Sequence, residues 1–448
     1  MTLLSSIAAL GLAASAVQGC LLPQEIEAER HARLTGQRPS RMGANRQPGA
    51  SSAFGIGTGD RFSDNSTIPV GLGVDDRNLK SILNVEEVTS ALQALKNGYP
   101  DQIELFNPPV KTFEGRSFPG AIIGANPKVF IMSGIHARER GGPDIVTYFL
   151  ADLLAANKAG TGVSYGDQSY TAEDVKTALS AGVVTLPITN PDGIAYDQET
   201  GSCWRKNRNT ESSSGGDGGD VGIDLNRNYD FAWDFEKAFS PEAGEPASND
   251  PASEIFCGTK PESEAETQAV VWALDNHPNI TWMMDLHSYG PSLLYGWGDD
   301  DVGTDNTEQY FSNPDFDGKR GVLDDDYNEY LTPEDFKTET DGTNAMVKAM
   351  LAAGTSQYEN YQAVGLYPTS GASNDYAMGR YYGKLSCDAS RMFGLTLEFG
   401  SESTADPSCP FYPSDEEYHN NMRQVGAGFM EMLLLAAGPA GDPVYLEC

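Results

Sequence analysis

Basic residues are scarce in this sequence, and their scarcity narrows the choice of partners. The chain has 30 lysines and arginines against 64 aspartates and glutamates, a formal net charge of −34. A surface of that sign repels phosphate backbones, so nucleic acid is excluded as a partner, and we attribute the charge to solubility. Apolar residues make up 39% of the chain and aromatic residues 10%, which favours a folded core over disorder.

Long apolar runs are also missing. The run from Ile7 to Val17 is shorter than the ~20 residues that cross a bilayer, so no membrane partner is expected. Because this run ends in small residues, it predicts a signal peptide over residues 1–19, although the usual basic residues before it are absent. We therefore expect a secreted, extracellular monomer, with a leader or pro-segment over residues 20–75 and one main domain over residues 76–440.

No two cysteines have the C-x-x-C spacing of a metal site, so a cysteine-bound metal is not expected. In an oxidising compartment the six cysteines predict disulfide bonds instead, although sequence alone leaves their connectivity open. The pairs that we expect are Cys203 with Cys257, Cys387 with Cys409 and, if signal cleavage precedes it, Cys20 with Cys448. Sequons at Asn65 and Asn279 predict a glycoprotein if the host glycosylates.

Short apolar segments alternate with helical patterns along the main domain. Segments without polar alternation predict buried strands, and apolar residues at helical spacing predict helices. The predicted strands are 128–133, 182–188, 281–286 and 394–397, and the predicted helices are 85–95, one beginning at Pro143, 264–275 and 416–435. This order predicts an α/β fold: a single globular domain with a mostly parallel or mixed central sheet covered by helices on both faces.

One segment of the main domain, residues 299–326, is dense in aspartate. A calcium site is one interpretation, but the spacing of an EF-hand loop is absent. We therefore predict a solvated surface loop.

Histidine is rare, with five in the chain, and two of them follow predicted strands. His136 comes just after the first predicted strand and has Glu139 three positions later, while His287 follows the strand at 281–286. Ligands collect at the carboxyl ends of strands in open α/β sheets. Two imidazoles and one carboxylate form a common zinc-hydrolase set with a fourth position open for water. An H-x-x-E pair often occurs without a metal, however, so the spacing alone leaves this site open.

The surrounding motifs are more specific. In chain order they are GIHARE, ITNPDG, WRKNR, DLNRNYD, DLHSYG, YPTSGAS and LTLEFG. Over roughly residues 80–435 the chain resembles the carboxypeptidase A/B family of zinc metallopeptidases. The resemblance implies a hydrolase with one zinc ion per chain, which uses zinc-activated water to remove residues from the C-termini of peptides or proteins.

The resemblance also implies roles for individual residues at the reaction centre. Its zinc ligands are His136, Glu139 and His287, and Asp224 orients the first histidine, as metal-bound imidazoles usually require. Its catalytic residues are Glu398, the general base, and Arg208, the cation that stabilises the oxyanion.

Further residues match the family's substrate contacts. Asn226 and Arg227 correspond to the pair that binds the free α-carboxylate, and a guanidinium suits that role because it holds a carboxylate bidentately. Tyr367 corresponds to the tyrosine that closes over the terminal residue, and Arg138 to a contact in a neighbouring subsite.

The resemblance places Asn374 at the residue that sets specificity, where an aspartate accompanies preference for Lys and Arg. The remaining positions of this pocket read Leu294, Gly298, Gln362, Leu366, Thr369 and Thr396. We expect no buried anion in this pocket. A neutral pocket with apolar walls predicts release of aromatic or large aliphatic residues, because an unpaired buried charge costs several kcal/mol.

Two other functions remain open at this point. A related zinc amidohydrolase acting on N-acyl amino acids would share H-x-x-E and an arginine that binds a carboxylate. A catalytically inactive secreted binding protein on the same scaffold would be expected to lack a zinc ligand or the base, and both are present here.

Overall fold

The computed structural model describes residues 21–36, 38, 51–64, 67–212, 220–385 and 389–446. The predicted signal peptide lies outside these residues. So do the sequon asparagine Asn65 and three of the cysteines, Cys20, Cys387 and Cys448.

The described elements alternate between helices and short strands. The helices are α1 (Pro23–Thr35), α2 (Val85–Gly98), α3 (Gly142–Ala159), α4 (Ala172–Ala181), α5 (Pro191–Thr200), α6 (Phe235–Ala238), α7 (Ala265–Asn276), α8 (Pro333–Ala353), α9 (Ser373–Tyr382) and α10 (Asp415–Ala437). The strands are β1 (Ile103–Phe106), β2 (Gly120–Ile123), β3 (Val129–Ser133), β4 (Val163–Tyr165), β5 (Gln168–Tyr170), β6 (Val183–Leu186), β7 (Trp282–His287), β8 (Ser292–Tyr295), β9 (Val302–Gly303), β10 (Glu329–Tyr330), β11 (Glu359–Gln362) and β12 (Phe393–Glu398).

Eight of these strands form one mixed sheet in the order β1-β2-β6-β3-β7-β12-β8-β11. The central pairs β6–β3, β3–β7 and β7–β12 are parallel, whereas β12–β8 and the pairs at the β1 edge are antiparallel. The predicted α/β fold is confirmed, with the sheet mixed rather than wholly parallel. Each predicted strand and helix of the main domain is present within a few residues of its expected bounds.

The two faces of the sheet are buried in separate apolar clusters. On β7, Met284 and Leu286 belong to the larger cluster, with α2, α3 and α10, while Met283 belongs to a second cluster that also contains residues of α7 and α9. Side chains point alternately to the two faces along a strand. Because both faces are buried, the strands are mostly apolar on each face and lack polar alternation. The functional residues described below lie on the face that Met283 shares.

Part of the predicted leader is folded against the main domain. Helix α1 lies within residues 20–75, where no helix was predicted. Further along, Phe62 and Leu72 are buried in the larger core. Arg61 forms an ion pair with the fully buried Glu87 of α2, 2.5 Å from Nε to Oε1. Residues 51–64 and 67–75 therefore contribute to the domain core.

The expected disulfide pairs are wrong where the structure describes them. Cys203 is bonded to Cys409, with their Cα atoms 5.6 Å apart, and Cys257 is a buried free thiol. The chain after β12 folds back onto the loop that precedes Trp204, so both bonded cysteines lie in one small apolar cluster with Phe411. Proximity in sequence did not indicate this pairing because the partners are 206 residues apart.

The aspartate-rich segment is only partly a solvated loop. Residues 305–308 and 323–326 are exposed, but Asp299 and Asp300 at its start are fully buried, and so is Arg320. The Nε atom of Arg320 lies 3.4 Å from an Asp299 carboxylate oxygen and 3.6 Å from one of Glu329. The prediction of a surface loop is therefore wrong for the beginning of the segment, which lies inside the domain. None of the described helices is long and apolar enough to cross a membrane.

Candidate active site

Strand register brings the predicted base beside a predicted metal ligand. Glu398 at the end of β12 pairs with His287 at the end of β7 and, on its other side, with Ser292 of β8. Residues paired in register point to the same face of a sheet. Two residues earlier on the strands, the same face carries Asp285, Thr396 and Leu294. The metal-ligand residues and the predicted pocket therefore occupy successive rows of one sheet face.

His136, Glu139 and His287 converge at the carboxyl ends of β3 and β7. The Nδ1 atom of His136 lies 2.8 Å from Glu139 Oε1 and 3.1 Å from the Nδ1 atom of His287. His287 Nδ1 is 3.2 Å from Glu139 Oε2. All three side chains are buried. Among the described residues, this is the one group of three ligand side chains close enough to hold a metal ion.

The charges of this cluster fit a cation. The Nε2 atom of His136 is 3.0 Å from Asp224, and that of His287 is 3.0 Å from Asp285, so each Nε2 has a carboxylate to which it can donate its proton. In a neutral imidazole the other nitrogen is then an unprotonated lone pair. Two lone pairs facing each other beside a carboxylate repel unless a cation lies between them. The donor set is also the one that zinc takes in hydrolases.

Asp224 connects the metal cluster to Asn226 and Arg205. It precedes a single helical turn, Leu225–Arg227, and its Oδ1 accepts from the Asn226 N–H at 3.0 Å as well as facing His136. Its Oδ2 accepts from Arg205 Nη2 at 2.8 Å. Burial alone would raise the pKa of Asp224, but Arg205 and His136 outweigh it and hold that pKa well below its usual range. Asp224 is therefore placed to orient His136, the role that the resemblance implies for it.

A second carboxylate with the same geometry was missed in the sequence. Asp285 lies two residues before His287 on β7, so the two side chains share a face. Its Oδ2 also accepts from the Ser373 hydroxyl at 2.6 Å, which connects it to the start of α9. The D-x-H spacing on a predicted strand was the available signal. The resemblance implied a carboxylate partner for His136, but the sequence analysis predicted none for His287.

The residues predicted to bind the α-carboxylate lie beside the metal cluster. Asn226 accepts from the Ser373 N–H at 2.9 Å, and its Nδ2 is 3.5 Å from His287 Nε2. Arg227 is buried, donates to the Asn226 carbonyl at 2.7 Å, and has an Nε–H without a hydrogen-bond partner. Its guanidinium lies 5.8 Å from the ring of Tyr367. A buried guanidinium with a free donor is suited to bind an incoming anion.

The two arginines of WRKNR have different surroundings. Arg208, the predicted oxyanion cation, is half-buried, with its guanidinium 3.8 Å from the ring of Tyr196 and 4.7 Å from that of Trp204. Arg205 is fully buried against Asp224, which contacts His136. Of the two guanidinium groups, the described contacts connect that of Arg205 to the metal cluster.

Arg138, the predicted subsite contact, is paired with a glutamate of the predicted leader. Both of its terminal nitrogens donate to the Glu25 carboxylate of α1, at 2.7 Å each, and its guanidinium also lies 4.4 Å from the ring of Phe411. Arg138 is fully buried in this arrangement. A substrate group that used Arg138 would have to replace Glu25.

A buried carboxyl group, which the sequence analysis did not single out, contacts two of the residues predicted for the specificity pocket. Asn374 is 3% exposed, and its Nδ2 donates to Asp375 Oδ1 at 2.8 Å. The same oxygen accepts from the Gly298 N–H at 2.9 Å. Asp375 is fully buried, and its Oδ2 has no hydrogen-bond partner. The expectation that no buried anion lies in this pocket stays a prediction: α9 places Asp375 against Gly298 across the fold, but burial raises the pKa of Asp375 well above its ordinary value.

A histidine–histidine–carboxylate cluster at the strand ends of a mixed α/β sheet is the site of a mononuclear zinc hydrolase. The chain matches the profile of the zinc carboxypeptidase family over residues 88–424 and belongs to that family. Carboxypeptidase B of Astacus astacus is 30% identical over 300 residues, which are 66% of this chain and 80% of that protein. Carboxypeptidase A2 of Rattus norvegicus is 34% identical over 177 residues, 39% of this chain and 36% of that protein.

Two solved structures share the fold. Bovine thrombin-activatable fibrinolysis inhibitor, in complex with tick carboxypeptidase inhibitor, has a TM-score of 0.57 at 20% identity and covers 79% of this chain and 96% of that one. Carboxypeptidase A from Helicoverpa armigera has a TM-score of 0.56 at 23% identity, covering 80% of this chain and 75% of that one. The predicted family and the predicted zinc cofactor are thus confirmed.

Proposed function

We propose that this protein is a zinc-dependent exopeptidase that hydrolyses the C-terminal peptide bond of peptides or proteins. The observation that carries the proposal is that the metal cluster lies beside Asn226 and Arg227. Ser373 connects the two groups: its N–H donates to Asn226, and its hydroxyl donates to Asp285, which contacts His287. A hydrolytic centre next to a buried, incompletely satisfied guanidinium is what a substrate with a free α-carboxylate requires. No described contact favours the amidohydrolase or the inactive binding protein over this function.

His136, Glu139 and His287 would hold the zinc ion. When bound, zinc polarises the scissile carbonyl and lowers the pKa of a coordinated water. Glu398, beside His287 in register, would take a proton from the attacking water and deliver it to the leaving amine. Asp224 and Asp285 would hold the two imidazoles in the tautomer that leaves Nδ1 free.

A cation is also needed where negative charge develops on the substrate carbonyl oxygen. The family resemblance assigns this role to Arg208. Arg208 packs on Tyr196 and Trp204 and has an Nε–H without a hydrogen-bond partner, which supports it in this role, whereas Arg205 is paired with the buried Asp224. Substitution of each arginine separates the two candidates.

Exopeptidase action would follow from Arg227 and Asn226, because an internal residue of a peptide offers them no carboxylate. Tyr367, close to Arg227, would cover the terminal residue. Leu294 and Leu366 would supply apolar wall to the specificity pocket, which supports release of aromatic or large aliphatic residues. These assignments rest on the resemblance together with the contacts described above.

The leader and secretion belong to the same proposal. Glu25 occupies Arg138, which is consistent with a pro-segment that is displaced before substrate uses that arginine. Because Phe62 and Leu72 are in the core, a removable segment would end before Ser51 rather than at residue 75. Secretion and glycosylation are supported by the apolar N-terminal run and the sequons.

The test compares one peptide with a free and with an amidated C-terminus, with and without a chelator. The zinc-loaded enzyme should release the terminal amino acid from the free peptide and lose nearly all activity on the amidated one, because Arg227 then faces a neutral group. Chelation should abolish both activities, and zinc should restore the first. Equal cleavage of the two peptides would contradict the proposed function.

A further inference from the structure

Ser373, the first residue of α9, forms hydrogen bonds with two parts of the site at once. Its hydroxyl donates to Asp285 Oδ2 at 2.6 Å, and its N–H donates to Asn226 Oδ1 at 2.9 Å. The same Asp285 oxygen faces His287 Nε2 at 3.0 Å, and Asn226 Nδ2 lies 3.5 Å from that nitrogen. These four residues therefore form one network, in which Ser373 contacts both the partner of a metal ligand and a residue predicted to bind the α-carboxylate.

Water has little access to these bonds. All four residues of the network are buried, the most exposed being Asn226 at 8%. The Ser373 N–H belongs to the first turn of α9, where the N-cap residue Ala372 provides no side-chain acceptor. Asn226 therefore satisfies a donor that the helix itself leaves open. Removing either bond would leave a buried polar group without its partner, which is costly.

The chain just before Ser373 is packed on the residues that follow Asn226. The Tyr229 N–H donates to the Gly371 carbonyl at 3.1 Å, and the Gly371 N–H donates to the Phe231 carbonyl at 2.9 Å. Gly371 has a φ of +65°, and a Cβ atom there would collide with the Arg227 carbonyl. These backbone contacts fix the position of the start of α9 relative to the carboxylate-binding residues.

The orientation of the Asp285 carboxylate depends on Ser373. Its Oδ2 is shared by the Ser373 hydroxyl and the His287 imidazole, whereas its Oδ1 has no hydrogen-bond partner. Without the hydroxyl, the carboxylate would be free to rotate about its Cβ–Cγ bond. Rotation would change the direction in which the imidazole is held, and with it the lone pair that His287 offers to zinc.

We propose that Ser373 is a positioning residue that couples zinc binding to recognition of the substrate's α-carboxylate. Its hydroxyl orients His287 through Asp285, and its N–H orients Asn226, so one residue sets the metal ligand and the carboxylate-binding pair relative to each other. This role rests on the proposed carboxypeptidase function and deepens it. Zinc affinity tests the role independently of the comparison between free and amidated peptides.

The first experiment measures zinc affinity of the full chain by competition with a chromophoric chelator. Ser373→Ala removes the hydroxyl and keeps the N–H. It should weaken zinc binding by about tenfold, at the lower end of the effect of losing a partner that orients a metal-binding histidine. Ser373→Thr keeps a hydroxyl donor and should remain within about threefold of the wild type. A loss in Ser373→Thr as large as that in Ser373→Ala would contradict a role for the hydroxyl.

A double-mutant cycle separates this role from a general effect on the fold. In the Asp285→Ala background, Ser373→Ala should change zinc affinity by less than about twofold, because the hydroxyl acts through the carboxylate that is already missing. Equal losses in the two backgrounds would overturn the proposal. Ser370→Ala is the matched control, since Ser370 is a buried hydroxyl of the same segment that donates to the Ala232 carbonyl at 2.8 Å. It should leave zinc affinity unchanged.

Ser373→Pro tests the bond to Asn226. Proline is tolerated at the first position of a helix, and Ala372 before it has the extended backbone that proline requires, with a φ of −80° and a ψ of 150°. This variant lacks the N–H as well as the hydroxyl. With zinc at saturation, KM for a peptide with a free C-terminus should be about tenfold higher in Ser373→Pro than in Ser373→Ala, the usual effect of losing a hydrogen bond to a charged group.

Equal KM values for Ser373→Pro and Ser373→Ala would contradict a role for the N–H in placing Asn226. Thermal unfolding of each variant reports its stability separately. Failure of the zinc-loaded wild type to hydrolyse the free peptide would instead contradict the proposed function.

Discussion

The metal centre and the surroundings of Gly298 are both buried, yet the pKa values of their carboxylates shift in opposite directions. Glu139 and Asp224 have lowered pKa values, because imidazoles in one case and Arg205 with His136 in the other outweigh the effect of burial. Asp299 and Asp375 have raised pKa values, because burial dominates and neighbouring acids add to it. At equal burial, the balance between the cost of desolvation and the neighbouring charges of both signs decides the direction in which each pKa shifts.

The two regions also differ in how their polar atoms are paired. Each imidazole in the metal centre has a carboxylate on Nε2, and the site requires only a cation between the Nδ1 atoms. Beside Gly298, the Oδ2 atom of Asp375 has no hydrogen-bond partner. A metal ion would complete the first site.

The largest effect that distinguishes the two regions should come from the general base. Glu398→Gln removes the group that transfers protons and leaves all three ligands in place. We expect kcat to fall by about 10²- to 10⁴-fold or more, while zinc content, measured by mass spectrometry of the protein-bound metal, stays at one ion per chain. Near-normal turnover by the zinc-loaded variant would remove Glu398 from the mechanism.

The two arginines of WRKNR should differ strongly if Arg208 is the cation at the oxyanion. Arg208→Gln should then lower kcat/KM by about 10²- to 10³-fold, the usual consequence of losing such a donor, and Arg205→Gln by less. Steady-state kinetics and thermal unfolding of both variants separate catalysis from stability. The opposite order would support Arg205 in that role.

Asp224 and Asp285 offer a comparison inside the metal centre itself. Asp224→Asn and Asp285→Asn each keep a polar group of the same shape but remove the anion that orients one imidazole. Each should weaken zinc binding by about 10- to 100-fold, as measured by competition with a chromophoric chelator. A change in neither variant would show that the imidazoles are positioned by packing alone.

The smallest effect is expected when charge is added to the pocket. Asn374→Asp places a second carboxylate next to Asp375 and should raise the ratio of Lys to Phe hydrolysis by about tenfold at neutral pH, since the added acid attracts a cation. A set of peptides that differ only in their last residue measures this ratio. Asn374→Ser, which adds no charge, serves as the control, and an equal rise in that variant would exclude an electrostatic cause.

Much of the site was predictable because it consists of short motifs at strand ends. The pattern of buried strands and helices predicted the α/β sheet, and His136, Glu139 and His287 are brought together as expected. Asp285 was within reach of the same reasoning, since alternation along β7 places it on the face of His287. Helix α1 was not predicted because its stability depends on contacts such as that of Glu25 with Arg138, which join distant parts of the chain.

The sequence by itself determined the family, the three candidate metal ligands and the α/β sheet, because each is encoded by local motifs or by periodicity. Tertiary structure alone decided that Cys203 pairs with Cys409, that Asp299 and Asp300 are buried, and that Arg205 rather than Arg208 contacts Asp224. It also decided that Asp375 faces Gly298, 77 residues away. Contacts of this kind depend on how α9 and the loops pack around the sheet, and no local pattern of residues specifies that packing.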